Sequence, residues 1–174
     1  MAKYILDGHK LNFHLDRVAA WEQGELIAPV TLDVSLCSFC NAHCSFCAAA
    51  YQTGERASVP TDRVMALLED AAEIGVRGMV FMSDGESTLH PAWADAIEYG
   101  KGLGLDMAAA SNGFLIIPEK AERVLPHLTY LRINFSAGEP KRYAEIMGVP
   151  EFWFKRVTDN IRFMVEFKRK HNLG

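Results

Sequence analysis

Four times along the chain, a short apolar or alternating run ends in a polar turn and gives way to a stretch with helical spacing. Residues 29–36 alternate. Val30, Leu32, Val34 and Leu36 fall on one side and Thr31, Asp33 and Ser35 on the other, the period of a strand with one buried face. Residues 78–82 form a continuous apolar run, expected as a buried strand, and residues 105–110 read the same way. Residues 130–136 alternate again, with Leu131, Ile133 and Phe135 opposite Arg132, Asn134 and Ser136.

Between and after these runs lie helix signals. Thr61 is placed to cap a helix over 61–74, Asp62 suits its N-terminal dipole, Gly75 closes it, and Val64, Leu67, Leu68 and Ala71 form its apolar stripe. Pro91 opens a second helix that Gly100 is expected to close. A third covers 118–125 and stops at Pro126. A fourth covers 152–170, with Phe154, Val157, Ile161, Met164 and Val165 inward. Strand–helix alternation of this kind predicts an α/β fold of parallel strands with right-handed crossovers. Residues 1–28 read as a lead-in, with Val18, Ala19 and Trp21 on a short helix, and residues 29–174 as the core domain.

In such folds ligands sit at the carboxyl ends of the strands. There the sequence places residues 37–47, Asp84-Gly85-Glu86, Ser111-Asn112-Gly113 and Ser136-Ala137-Gly138. A net charge of -4 argues against a nucleic-acid partner. No apolar run is long enough for a membrane span, and Met1-Ala2-Lys3-Tyr4 leads into no apolar signal core, so the expected setting is cytoplasmic.

All four cysteines lie between Cys37 and Cys47, a crowding that suggests metal rather than disulfides. Cys40, Cys44 and Cys47 have the spacing C-x3-C-x2-C. Thiolates in one short loop can ligate three irons of a cubane and leave the fourth open, and an open metal position is where chemistry occurs. Cys37 admits three readings: a small residue at a strand end, the fourth thiolate of a zinc site, or a ligand of a ferredoxin-like cluster. His43 and His90 read as solvent-facing or capping residues.

The cysteine spacing, with Phe46 before the last cysteine, resembles the radical S-adenosylmethionine (radical SAM) superfamily. The resemblance implies a 4Fe–4S cluster on Cys40, Cys44 and Cys47 whose open iron is chelated by S-adenosylmethionine. Ser83-Asp84-Gly85-Glu86 resembles the family's Gly-Gly-Glu segment, which holds the cosubstrate's amino group; Asp84 replaces the first Gly and Ser87 the Pro that commonly follows. Ser111-Asn112-Gly113 resembles its Thr-Asn-Gly turn. Arg132, Asn134 and Ser136 stand where the family's strand four contacts ribose and carboxylate, Arg132 being the carboxylate partner by its fork geometry. Phe46 is placed to pack on adenine. The implied reaction is reductive cleavage of S-adenosylmethionine to a 5′-deoxyadenosyl radical that abstracts hydrogen from a substrate, which in this family ranges over peptides and small molecules. A flavodoxin or ferredoxin is the implied electron donor.

The family fold is a partial (β/α) TIM-like barrel of six strand–helix units, and four are legible here. The chain stops at Asn172-Leu173-Gly174, where a fifth strand is expected, so a fragment or truncated gene is anticipated. Asp7-Gly8-His9-Lys10 with Asp84-Gly85-Glu86 resembles a subgroup carrying a C-terminal SPASM-type cluster domain, absent here. Two alternatives stand beside the radical enzyme: a zinc-binding interaction module using Cys37, Cys40, Cys44 and Cys47, and a non-catalytic cluster-binding fragment. Replacing Cys37 separates the zinc module from the cluster readings.

Overall fold

The computed structural model describes residues 10–51, 56–82 and 84–173. The segment Asp7-Gly8-His9 and the expected site residue Ser83 lie outside the described residues. Four strands, β1 (Thr31–Val34), β2 (Gly78–Phe81), β3 (Asp106–Ser111) and β4 (Leu128–Ile133), form one sheet in the order β1-β2-β3-β4, every neighbour parallel. Six helices accompany them: α1 (Leu15–Glu22), α2 (Thr61–Glu73), α3 (Trp93–Gly102), α4 (Pro118–Val124), α5 (Pro140–Met147) and α6 (Phe152–Lys170).

Consecutive strands neighbour one another, so every crossover runs the same way across the sheet, as in a partial barrel. The main core lies on the helix-covered face. Met79, Phe81, Met107 and Ala109 project there against Val64 and Leu68 of α2, Trp93 and Ile97 of α3, Ala121 and Val124 of α4, and Met164 of α6. Leu32, Val34, Leu131 and Ile133 complete it from the two edge strands. On the opposite face, Asp33, Val80, Ala108 and Tyr130 follow one another in register across the sheet. Tyr130 and Arg132 are exposed on that face. Along the free edge of β4 runs an apolar groove lined by Leu131, Ile133, Ile161, Met164 and Val165.

Several boundaries differ from the sequence expectation. Thr61 is the first helical residue of α2, which Pro60 precedes without a side-chain cap. Gly100 does not close α3: it is buried inside the helix, which runs to Gly102. β4 begins two residues earlier than expected and ends at Ile133, so Asn134 and Ser136 lie beyond the strand. On α6, Val165 is exposed, whereas Trp153 and Asn160 are buried. His90 is buried, not solvent-facing: Nε2 bonds the Val59 carbonyl at 2.7 Å and Nδ1 accepts the Ala92 N–H at 3.2 Å, tying α3 to the segment before α2.

The largest difference is α5, which periodicity alone did not signal. Its sequence marks are Pro140 at the first turn and Gly148 in the left-handed conformation (φ 61°) after the last. Its inward residues Tyr143 and Met147 build a second, smaller core with Ala42 and Trp153. That core sits under the cysteine loop.

Candidate active site

The loop after β1 is fastened from three directions. From the turn after β2, the Glu86 N–H donates to the Phe39 carbonyl at 2.9 Å. There Gly85 lies so close that a Cβ on it would stand 2.5 Å from the Cys37 carbonyl oxygen and 2.8 Å from the Phe39 nitrogen. A glycine at this turn admits the backbone of the cysteine loop. From the turn after β3, Asn112 Nδ2 donates to Asn41 Oδ1 at 2.7 Å. From the end of α5, the Met147 and Ile146 carbonyls accept the N–H groups of His43 and Ser45 at 3.0 and 2.9 Å, bracketing Cys44.

Glu86 is the centre of this arrangement. It is 4% exposed. Its Oε1 accepts from the Thr88 N–H (3.2 Å), the Thr88 hydroxyl (2.6 Å) and the Ser111 hydroxyl (2.7 Å), and its Oε2 from the Asn112 N–H (2.8 Å). Lys120, which donates to the Thr88 carbonyl at 3.2 Å, supplies a nearby positive charge; burial lowers its pKa and Glu86 opposes that shift. The resemblance gives the whole segment 83–86, not this carboxylate alone, the cosubstrate's amino group to hold. In the structure the carboxylate's contacts are to the protein's own turns. The neighbouring Asp84 is exposed.

Cys40, Cys44 and Cys47 are each part-buried, on one loop. Burial raises the Cys44 thiol to about 11, and Cys40 and Cys47 add to that shift. Burial likewise raises Cys40, with Glu86 and Cys47 contributing after a lowering contact from the Ala42 N–H, which donates to Cys40 Sγ at 3.4 Å. Cys37 stands apart: it is 2% exposed, and its thiol donates to the carbonyls of Glu86 (3.4 Å) and Phe39 (3.6 Å). Burial raises its pKa too.

Among the described residues, no three His, Cys, Asp or Glu side chains converge as they stand on a point that could hold a metal ion. A single zinc draws its thiolates to about 2.3 Å from one centre. A cubane instead takes each thiolate at a separate iron corner, which calls for a wider triangle. The donor set fits that group: three thiols on one half-buried loop, and in the small core against which Cys40 and Cys44 pack a buried hydroxyl, Tyr143 OH, with no hydrogen-bond partner among the described residues. Burial pushes Tyr143 up to about 12, with a smaller contribution from Cys44.

The remaining expected residues are dispersed around this loop. Asn134 Nδ2 donates to Met147 Sδ at 3.9 Å, the same sulfur that accepts from the Cys44 thiol at 3.8 Å, so Asn134 is drawn to the loop. Ser136 donates to Asn134 at 3.4 Å. Arg132 is exposed on the open sheet face, and Phe46 is 58% exposed at the loop surface. Residues not anticipated from sequence are Asn41, Tyr143, Met147 and Gly148. The mark that points to the last three is the Pro140–Gly148 frame of α5 with apolar residues four apart.

A parallel strand–helix sheet with a three-cysteine loop at its carboxyl end defines a class of cluster-bearing partial barrels. The chain belongs to the Radical SAM superfamily, whose sequence model matches residues 34–173. Members of that family are enzymes that use a 4Fe–4S cluster and S-adenosylmethionine. Among curated relatives, the AdoMet-dependent heme synthase of Methanosarcina barkeri is 26% identical over 125 residues, 71% of this chain and 36% of that protein. The tungsten-containing aldehyde ferredoxin oxidoreductase cofactor-modifying protein of Pyrococcus furiosus is 27% identical over 89 residues, 51% of this chain and 25% of that protein. The chain therefore spans about a third or less of the length of these relatives. Among solved structures, Streptococcus suis SuiB bound to precursor peptide SuiA superposes with a TM-score of 0.69 at 19% identity, covering 95% of this chain and 38% of that one. TYW1 with a lysine-pyruvate adduct gives 0.57 at 18% identity, covering 79% and 52%. These likenesses establish the fold. Among the described residues, no helix is long and apolar enough to cross a membrane.

Proposed function

We propose that this chain is the cluster-binding core of a radical SAM enzyme, with Cys40, Cys44 and Cys47 holding a 4Fe–4S cluster. The observation that carries the reading is the separation of the cysteines. Three thiols share one pinned loop at the carboxyl end of the sheet, while Cys37 is buried with its thiol on two backbone carbonyls. When bound, the cluster and S-adenosylmethionine supply one-electron reductive chemistry and a hydrogen-abstracting radical.

The chain's own residues provide the setting. Glu86 and Asn112 hold the turns after β2 and β3 against the cysteine loop, so the groups that surround the cosubstrate are fixed before it arrives. Asp84 offers an accessible carboxylate for the cosubstrate's ammonium, and Arg132 an accessible guanidinium for its carboxylate. Asp33 and Asn134, at the carboxyl ends of the edge strands, face the space in which a second substrate would lie. SuiB, which shares the fold, is seen with a precursor peptide. A peptide or small molecule is the substrate class inferred here, with a flavodoxin or ferredoxin as electron donor.

The test is anaerobic reconstitution of the chain. The expected result is about four irons per chain, a Mössbauer spectrum with one iron distinct from three, and 5′-deoxyadenosine released after reduction in the presence of S-adenosylmethionine. Protein that takes up a single zinc, or a cluster with all four irons bound by protein sulfur, overturns the reading. A cluster that forms without 5′-deoxyadenosine release leaves only a non-catalytic cluster-binding unit.

A further inference from the structure

Tyr143 and Met147 stand one helical turn apart on α5, and both side chains are fully buried. Met147 lies directly on Cys44, whose thiol donates to Sδ at 3.8 Å. The two backbone hydrogen bonds to His43 and Ser45 fix the last turn of α5 in register with Cys44, so this contact is not a loose one. Tyr143 belongs to the same packed group, against which both Cys40 and Cys44 are seated. Its ring is held by Phe135 at 4.9 Å and Phe154 at 5.7 Å between centroids, which leaves it little freedom to turn elsewhere.

Yet the Tyr143 hydroxyl has no partner among the described residues. Native proteins rarely leave a buried O–H unpaired, because its desolvation is then uncompensated. Among the other side chains of this packed group, the acceptors are the sulfurs of Cys40, Cys44 and Met147. Met147 shields the Cys44 side with a thioether, which has no proton to donate. Of the polar side-chain atoms in this packed group, the phenol is the one that is buried without a partner, and it stands on the helix whose Met147 bears on Cys44.

We propose that the Tyr143 hydroxyl is a hydrogen-bond donor to the iron–sulfur cluster on its Cys44 side, and that it raises the cluster's reduction potential. This rests on the cluster reading given above. Hydrogen bonds to cluster sulfurs favour the reduced state because they stabilise its additional negative charge. An orphan in the metal-free protein thus becomes a satisfied donor in the loaded one.

The experiment compares Tyr143→Phe with wild type in the full chain, metal-free and anaerobically reconstituted. Phenylalanine keeps the ring and its packing and deletes only the oxygen. Metal-free Tyr143→Phe is expected to unfold at or above the wild-type temperature, since the lost hydroxyl had no partner. Loaded Tyr143→Phe is expected to have a more negative midpoint potential by redox-poised EPR. The ratio of reduced to oxidised cluster at fixed potential should fall about tenfold, which is about 59 mV for one electron. Met147→Leu, which preserves apolar cover but removes the sulfur that accepts from Asn134, is expected to shift the potential by less than Tyr143→Phe does. An unchanged potential in Tyr143→Phe overturns the proposal. So does a lower unfolding temperature of the metal-free variant, which would reveal a protein partner for the hydroxyl, or an equal shift in Met147→Leu, which would assign the effect to packing. Wild-type protein that takes up no cluster sinks the preceding functional reading and this one with it, whereas a loaded wild type with an unshifted variant sinks this one alone.

Discussion

The Glu86 carboxylate accepts the backbone N–H of Asn112 at 2.8 Å, and through this contact the turn after β2 is joined to the turn after β3. Asn112 in turn reaches Asn41 on the cysteine loop. A buried carboxylate with four internal donors fastens the segment after β2 to the end of β3 and the turn that follows it.

Glu86→Gln tests that fastening. Glutamine matches the volume but brings an NH2 group to a site whose surroundings are all donors. Whichever way the amide is turned, at least one donor loses its acceptor. A loss of about 2 kcal/mol in stability is expected, measured by urea unfolding of the metal-free chain. Wild-type stability in this variant would mean that the carboxylate is not committed to these donors.

Gly85→Ala tests the close approach of the β2 turn to the cysteine loop. The new Cβ would meet backbone atoms of Cys37 and Phe39 rather than a flexible side chain, so the loop must move. Overpacking of this kind costs about 1–3 kcal/mol. Iron retained after reconstitution and gel filtration should fall well below that of wild type.

Gly148→Ala addresses the other anchor. Gly148 has φ 61°, and a Cβ there would lie 2.7 Å from the His43 carbonyl carbon. The left-handed conformation alone costs an L-residue about 1–2 kcal/mol, and the clash adds to it. The measurable outcome is a lowered unfolding midpoint together with faster loss of iron to a chelator. Wild-type behaviour would show that α5 does not grip the loop.

Cys37→Ala and Cys44→Ala are expected to diverge. The Cys37 thiol is buried on two carbonyls, so alanine there should cost about 1 kcal/mol of stability and leave iron content unchanged. Cys44→Ala should abolish the cluster's optical absorption. Equal loss in both variants would make Cys37 a fourth ligand of the cluster.

Much of the sheet was legible because its signals are local. Alternation in β1 and β4, the apolar run of β2 and the stripe of α2 each sit within a few residues of sequence, and the parallel order follows from the helices between them. The cysteine loop was legible for the same reason. Glu86 was legible as a site residue but not in its contacts, because Ser111 and Asn112 lie 25 and 26 residues away and only folding brings their donors to it. Helix α5 carries local marks in Pro140 and Gly148, but the importance of Tyr143 and Met147 comes from the core they build with Ala42 and Trp153, which only folding assembles. Gly100 misled because a glycine buried within a helix and one that ends it look alike in sequence.

What the sequence by itself determined is the set of three thiols at fixed spacing after a strand, and the strand–helix rhythm that puts every polar turn at one end of a parallel sheet. What only the tertiary structure decided is which groups surround those thiols: Glu86 committed to its neighbours, Cys37 turned onto carbonyls, and α5 laid under Cys44. The physical reason is that spacing along a chain fixes reach and periodicity. Burial and hydrogen-bond satisfaction depend instead on residues about 25 to more than 100 positions apart in the chain, such as Cys44 and Met147, coming into contact.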